Sequence, residues 1–190
     1  MYNQNNCVRT VYGAPVEDIT EQRLLTRLVA DLESEGIEAL LLANFQVGYK
    51  HLQIDLVVAT TKFACVVEIK GYKHPVQGQL NGPWTLAMQN GEFKSLGKKN
   101  PYCQARDARF AILDELRLRL VDDTDRWRPS ISGIACLFPA PVEGSEIPPG
   151  DFKADIGGYE KLLSHCRRAH PRAVQLAEWM RIANELGLSA

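Results

Sequence analysis

Two apolar, β-branched runs separated by a two-residue polar break constrain this chain more than any other stretch. Leu52-Gln53-Ile54-Asp55-Leu56-Val57-Val58-Ala59-Thr60 is followed by Thr61-Lys62, then by Phe63-Ala64-Cys65-Val66-Val67-Glu68-Ile69-Lys70. Runs of strand length meeting at a short break predict an antiparallel hairpin. With the loop centred on Thr61-Lys62, facing positions sum to 123, which sets Asp55 opposite Glu68. Facing Cβ atoms in such a pair stand roughly 4.5–5.5 Å apart, and like charges there are destabilising. Glu68 and Lys70, two residues apart, share one face of the strand. Burying carboxylates in an apolar sheet costs several kcal/mol each unless they are paired or hold a cation. A divalent cation would compensate, and a nearby lysine could then serve a phosphate. Glu68-Ile69-Lys70 by itself also fits a solvated sheet edge with an ordinary ion pair, whereas the facing acid and the apolar surroundings favour a site.

The net charge of −1 carries no global signal for nucleic acid. Its distribution does: residues 44–110 hold nine Lys/Arg against four Asp/Glu, a net of +5, so the remainder carries −6. A chain polarised in this way can present a basic face at a modest pI. Five cysteines, at positions 7, 65, 103, 136 and 166, are odd in number and form no C-x-x-C pair. That argues against a disulfide framework and a structural zinc site; Cys65 and Cys136, within apolar runs, read as core residues. The polar start, Met1 to Asn6, lacks a signal-peptide core, and no apolar run approaches membrane-spanning length. A cytoplasmic protein with no membrane partner is expected.

At 190 residues the chain fits one domain over 1–190, with a core at about 15–140 and a C-terminal strand and helical extension at 141–190. An N-terminal portion of a longer protein is equally compatible. Residues 1–14 read as an irregular lead-in, and Leu24, Leu25, Leu28, Val29 and Leu32 define a helix over 16–35 that ends at Gly36. Glu21 borders its apolar stripe, where a first-turn acid favoured by the helix dipole is the ordinary reading. A strand over 37–47 precedes the hairpin and completes an antiparallel meander of three. Short strands over 76–80, 84–88 and 92–96, with Asn90-Gly91 as a turn, are expected to form an accessory sheet edge. Asn100 and Pro101 open a long helix running to about Val121, with Gln104 in its first turn beside Lys98 and Lys99. A helix N-terminus flanked by two lysines suits a phosphate, though such a pair also occurs as a solvated loop. A buried strand over 131–138, a surface loop over 139–150 and helices over 158–169 and 171–186 complete the chain. His165 and His170, five apart with Pro171 following, lack the spacing of a helical metal pair and read as surface residues. This order predicts an α/β fold with one mixed central sheet flanked by helices.

Asp55 followed by Glu68-Ile69-Lys70, after a helix and between strands, resembles the D…(D/E)-x-K site of restriction-endonuclease-like nucleases. More narrowly, Gln53-Ile54-Asp55, Val67-Glu68-Ile69-Lys70-Gly71, Trp84 and Asn100-Pro101-Tyr102-Cys103-Gln104 resemble the nuclease-related domain, NERD, over roughly residues 15–140. The family often has Gly before the helix-1 glutamate and His after the aspartate, where this chain has Thr20 and Leu56. Related RecB-like nucleases have a Tyr four residues after the glutamine, where this chain has Ala108. The resemblance implies an αβββαβ core and metal-dependent phosphodiester hydrolysis. It implies that Asp55, Glu68, the Ile69 carbonyl and Glu21 bind Mg2+ or Mn2+. Lys70 would position water or stabilise phosphate charge, and Gln104 would orient either. Lys73, Lys98, Lys99 and Arg106 are the candidate nucleic-acid contacts. The expected partner is nucleic acid, DNA ahead of RNA, and a homodimer or an attached helicase or kinase domain is compatible. The alternatives are a catalytically silent nucleic-acid-binding or regulatory module and a structural interaction domain. The last requires Asp55 and Glu68 to be exposed on opposite faces.

Overall fold

The 52–70 hairpin forms as its composition dictates, and the rest of the main sheet grows outward from it. The computed structural model describes residues 7–89, 91–97, 100–120 and 129–190. In it, β3 (Leu52–Thr60) and β4 (Ala64–Lys70) pair antiparallel from Ala59↔Ala64 to Leu56↔Val67, the register in which facing positions sum to 123. Thr60 closes the turn: its Oγ1 accepts from the N–H groups of Lys62 and Phe63 at 3.2 and 3.0 Å.

β2 (Ala39–Val47) pairs antiparallel with β3 and completes the meander. β8 (Ile131–Leu137) adds parallel to β4, and the short β9 (Asp155–Gly157) adds parallel to β8. At the opposite edge, β1 (Val8–Tyr12) pairs parallel with β2, giving the order β1-β2-β3-β4-β8-β9. The mixed, helix-flanked sheet is the α/β architecture expected. The lead-in reading of residues 1–14 is corrected by β1, whose five residues carry too short a pattern to declare a strand. Its ladder to β2, Val8↔Ala39 to Tyr12↔Ala43, is a tertiary fact. The C-terminal end joins there too, with Tyr12 and Ser189 exchanging backbone hydrogen bonds of 2.7 and 3.0 Å.

α1 (Ile19–Ser34) is capped by Asp18, whose carboxylate accepts from the N–H groups of Thr20 and Glu21 at 2.7 and 3.1 Å. It ends at Gly36, with φ of +65°, a left-handed conformation that glycine adopts without steric cost. Leu24, Leu28 and Leu32 on α1 bury one face of the sheet. α3 (Tyr159–Cys166) shares that face through Tyr159, Leu162 and Leu163. The opposite face is covered by α2 (Pro101–Arg119), through Ala108, Ile112 and Leu116, and by α4 (Leu176–Glu185), through Trp179 and Ile182. The two C-terminal helices are shorter than expected, because Pro171 and the residues after it form turns before α4 begins.

β5 (Val76–Gly78), β6 (Trp84–Ala87) and β7 (Phe93–Ser95) form a separate three-stranded sheet rather than an edge of the main one. Trp84 plugs this sheet onto Tyr102 and Ala105 of α2. Asn100 caps α2 by accepting from Cys103 N–H at 3.2 Å. Its amide also donates to the carbonyls of Gln79, Leu80 and Gly82 at 3.2, 3.0 and 2.8 Å, so one residue starts the helix and clamps the β5–β6 connection. His165, expected at the surface, is 1 % exposed: Ser132 Oγ lies 2.8 Å from its Nδ1 and Asp155 Oδ2 lies 3.1 Å from its Nε2. The α3 periodicity turns it inward beside Leu162 and Cys166, and its polar atoms are satisfied there. The five cysteines are free thiols. Among the described residues, no helix is long and apolar enough to cross a membrane.

Candidate functional site

The local structure at Asp55 begins with a fault in the β2–β3 ladder. Ala43 pairs with Leu56 and Phe45 with Ile54, but Asn44 and Asp55 between them do not pair. Asn44 adopts a left-handed backbone, φ of +49°, which asparagine tolerates better than most residues. Its amide donates to the carbonyls of Ala14 and Pro15 at 3.3 and 2.5 Å and its Oδ1 accepts from Gln53 at 2.6 Å. The alternation of faces shifts by one there: Leu40 and Leu42, then Phe45 and Val47, belong to the same side of the sheet. On β3 the same shift separates Val57 and Ala59 from Ile54. Asp55 sits at the shift.

The β3–β4 ladder also ends there. Beyond Leu56↔Val67 the Asp55 side chain replaces a backbone acceptor, its Oδ2 taking the N–H of Ile69 at 2.8 Å. Glu68 is 4 % exposed, and Lys70 Nζ donates to its Oε1. Lys70 also lies within electrostatic reach of Asp55, so the three groups meet at one end of the hairpin. With Glu68 buried and Asp55 bonded to the residue beside it, the condition for a purely structural domain is not met. Glu68 lies opposite Ala135 in the β4–β8 ladder. Ala135 clusters with Tyr102 and Ala105 of α2, which flank Gln104. The Gln104 Oε1 is buried and has no hydrogen-bond partner among the described residues.

α1 delivers Glu21 from the other side. A Cβ on Gly71 would overlap the Thr20 side chain, so the bare backbone after Lys70 is what lets the first turn of α1 close on β4. Burial is the largest influence on Glu21 and, with the charges of Asp55, Asp18 and Glu68, lifts its carboxyl to about 7 against the pull of Lys70. Burial also pushes the Asp55 carboxyl up. The Ile69 N–H and the Lys70 charge oppose that rise, and Asp18 adds to it. Tyr72, on the segment after β4, is pushed up to about 12 by burial and then by the charge of Glu68. Three acids and the Asp18 cap therefore share one neighbourhood with one lysine, an arrangement that favours protons or cations.

The donor types, carboxylate oxygens and, on α2, a buried amide oxygen without a partner among the described residues, are those a hard divalent cation takes. Among the described residues, however, no group of three or more His, Cys, Asp and Glu side chains stands in metal-holding geometry, and Lys70 engages one oxygen of Glu68. Of the expected nucleic-acid contacts, Lys73 is exposed. Arg106 is held by Asp107 at 2.8 Å and by Asn81 at 3.3 Å. Lys98 and Lys99 lie outside the described residues. Asp18 and Tyr72 were not singled out from sequence. Asp18 had a legible signal, an acid three residues before Glu21 in the pattern of a capping box; Tyr72 had none.

No curated protein and no solved structure matches the chain. A family model described as "Nuclease-related domain" matches residues 16–137, which hold α1, the meander, α2 and β8. Over that span, with the acids and lysine gathered at the end of β3 and β4, the chain belongs to the nuclease-related domain family, NERD.

Proposed function

We propose that this chain is a metal-dependent nuclease that hydrolyses phosphodiester bonds in DNA. The observation that carries the reading is the meeting of Asp55, Glu68 and Lys70 where the hairpin ladder stops, with the carboxyls of Asp55 and of the nearby Glu21 raised in pKa. Asp55 and Glu68 would hold Mg2+ or Mn2+, with Glu21 and the Ile69 carbonyl completing the oxygen donors. When bound, such an ion polarises a phosphoryl oxygen and acidifies a water. The Ile69 N–H fixes the Asp55 carboxylate, so its orientation costs nothing at the moment of reaction. Lys70, held at Glu68, presents a cation to a phosphate oxygen. Glu21, whose carboxyl is raised to about 7 and so is about half protonated at neutrality, would join the oxygen donors in its ionised form. The Gln104 oxygen would accept from a water aimed at the phosphorus.

Plasmid cleavage with Mg2+ or Mn2+ tests the proposal: wild type nicks or cuts, and Glu68→Ala and Lys70→Ala do not. Equal cleavage by both variants would mark a contaminant and end the assignment.

The Lys70–Glu68 contact favours a second reading, a nucleic-acid-binding or regulatory module that no longer cuts, in which lysine neutralises the glutamate in place of a metal ion. Calorimetry with Mn2+ separates the two. Binding lost in Asp55→Ala supports the enzyme, and no binding at the site supports the module.

A further inference from the structure

The β2–β3 turn, Gly48 to His51, stands at the same strand end as the acids, because β3 starts at Leu52 three residues before Asp55. At about 3.3 Å per residue that separation is roughly 10 Å. Between this turn and α2 lies a cleft of about 1180 Å3. Its α2 wall includes Asp107, Ala111, Asp114 and Leu118, which continue at i+3/i+4 spacing the stripe that begins with Gln104. Leu52 also lines the cleft, three residues along β3 from Asp55, so the cleft lies beside the candidate site.

Tyr49, 88 % exposed, stands on the turn, and Phe110 stands on the helix. Each ring carries a cation: Lys50 Nζ is 5.4 Å from the centroid of Tyr49, and the Arg109 guanidinium is 5.4 Å from that of Phe110. The acids that line the cleft are offset, Asp107 by Arg106, Asp114 by Arg117 and Glu115 by Arg119. Lys50 has no carboxylate partner among the described residues and remains available to a phosphate. The turn is also braced, since Gly48 N–H donates to Glu115 at 3.2 Å. Exposed rings paired with cations, braced at fixed positions, are the elements of a base-stacking platform.

We propose that this cleft seats an unpaired stretch of nucleic acid flanking the scissile phosphate, with Tyr49 and Phe110 stacking on bases and Lys50 meeting the backbone. The proposal rests on the nuclease reading and narrows its substrate to nucleic acid with a single-stranded segment. The test is fluorescence anisotropy in EDTA, which prevents cleavage, with a labelled single-stranded DNA and the matching duplex. Wild type should bind the single strand more tightly. Tyr49→Ala should weaken that binding by about tenfold, the order of one lost base stack, leave the duplex unchanged, and be rescued by Tyr49→Phe. Tyr49 is exposed, so the variant folds; a wild-type circular dichroism melt verifies it. Unchanged single-strand affinity in Tyr49→Ala overturns the proposal, as does equal wild-type affinity for strand and duplex. Self-association lost in Tyr49→Ala with DNA affinity intact would assign the cleft to a second copy and also overturn it. Cleavage retained in Glu68→Ala would remove the nuclease reading while leaving the stacking result standing.

Discussion

The molecule holds two buried polar clusters on neighbouring strands of one sheet, and they are built on opposite terms. At the end of β3 and β4, acids crowd one another, and burial raises the carboxyls of Glu21 and Asp55. Across β8, β9 and α3, Asp155 meets only donors. Lys161 Nζ lies at 2.5 Å and His165 Nε2 at 3.1 Å, and against the desolvation that would raise it these bonds bring Asp155 below the ordinary aspartate range. Burial first, then the Arg168 charge, lowers His165 against the opposing pull of Asp155. An ionised carboxylate only accepts, so Nε2 of the neutral ring carries the proton and Nδ1 accepts from Ser132 Oγ–H. The residue types are those of a nucleophilic triad, but this histidine is sealed in the core, and its bonds tie β8 to β9 and α3. Satisfied networks rigidify a fold, and unsatisfied ones cost it stability. The crowded acids are tolerated by the fold, whereas the His165 cluster supports it.

Substitution separates the two clusters most sharply. Glu68→Gln should lower cleavage by about 10²–10³-fold, the usual loss for one electrostatic contact to a reacting group, as a plasmid time course would show. Asp55→Asn should do the same while leaving the melting temperature unchanged or higher, since the amide oxygen still accepts from Ile69 and a repulsive charge is gone. A clear loss of stability in Asp55→Asn would dissolve the contrast. His165→Ala should instead destabilise the fold by about 3 kcal/mol in urea titrations, because it opens a cavity and leaves the Ser132 hydroxyl without its partner. Any cleavage activity should survive at temperatures where the variant remains folded.

Gly71→Ala comes next, expected to cost about 1–3 kcal/mol through overpacking against Thr20. Thr20→Gly in the same chain should recover most of that cost, and failure of the rescue would place the strain elsewhere.

The smallest effect is in pH, and its sign differs between the clusters. Glu21 is raised from 4.5 to about 7, so its stabilising contribution is full below about 4.5 and is lost as pH rises through about 7. His165 is lowered from 6.5, so its contribution is full above 6.5 and is lost as pH falls. In metal-free melts across this range, Glu21→Gln should flatten the alkaline decline and His165→Gln the acid one. Parallel curves for wild type and Glu21→Gln would show that Glu21 titrates alike in both states.

The hairpin was legible in advance because a strand's face is set by parity and a hairpin's register by its turn, but the expected facing pair of Asp55 and Glu68 is not formed, since the ladder stops at Leu56↔Val67 and the alternation of faces shifts at Asp55. Both rules are local. The Asn100-Pro101 start of α2 was legible for the same reason. β1 was not, since five residues of mixed polarity declare a strand only beside the one they join. The three short strands were visible, but whether they extend the main sheet or stand apart depends on where Trp84 finds apolar partners. His165 looked like a surface residue because one partner, Ser132 on β8, lies 33 residues away and nothing in the spacing marks Asp155, ten residues before it, as the other.

Local chemistry alone therefore determined the meander, the capped α2 and the presence of two acids and a lysine at one hairpin end. Tertiary structure decided what surrounds them. The ladder fault at Asn44 and Asp55, the approach of α1 over Gly71 that brings Glu21 and Asp18, and the packing of Tyr102 and Ala105, either side of Gln104, into one cluster with Ala135 depend on contacts between distant segments. Those contacts set the desolvation and charge crowding that raise the carboxyls of Glu21 and Asp55, and no spacing along a single strand encodes them.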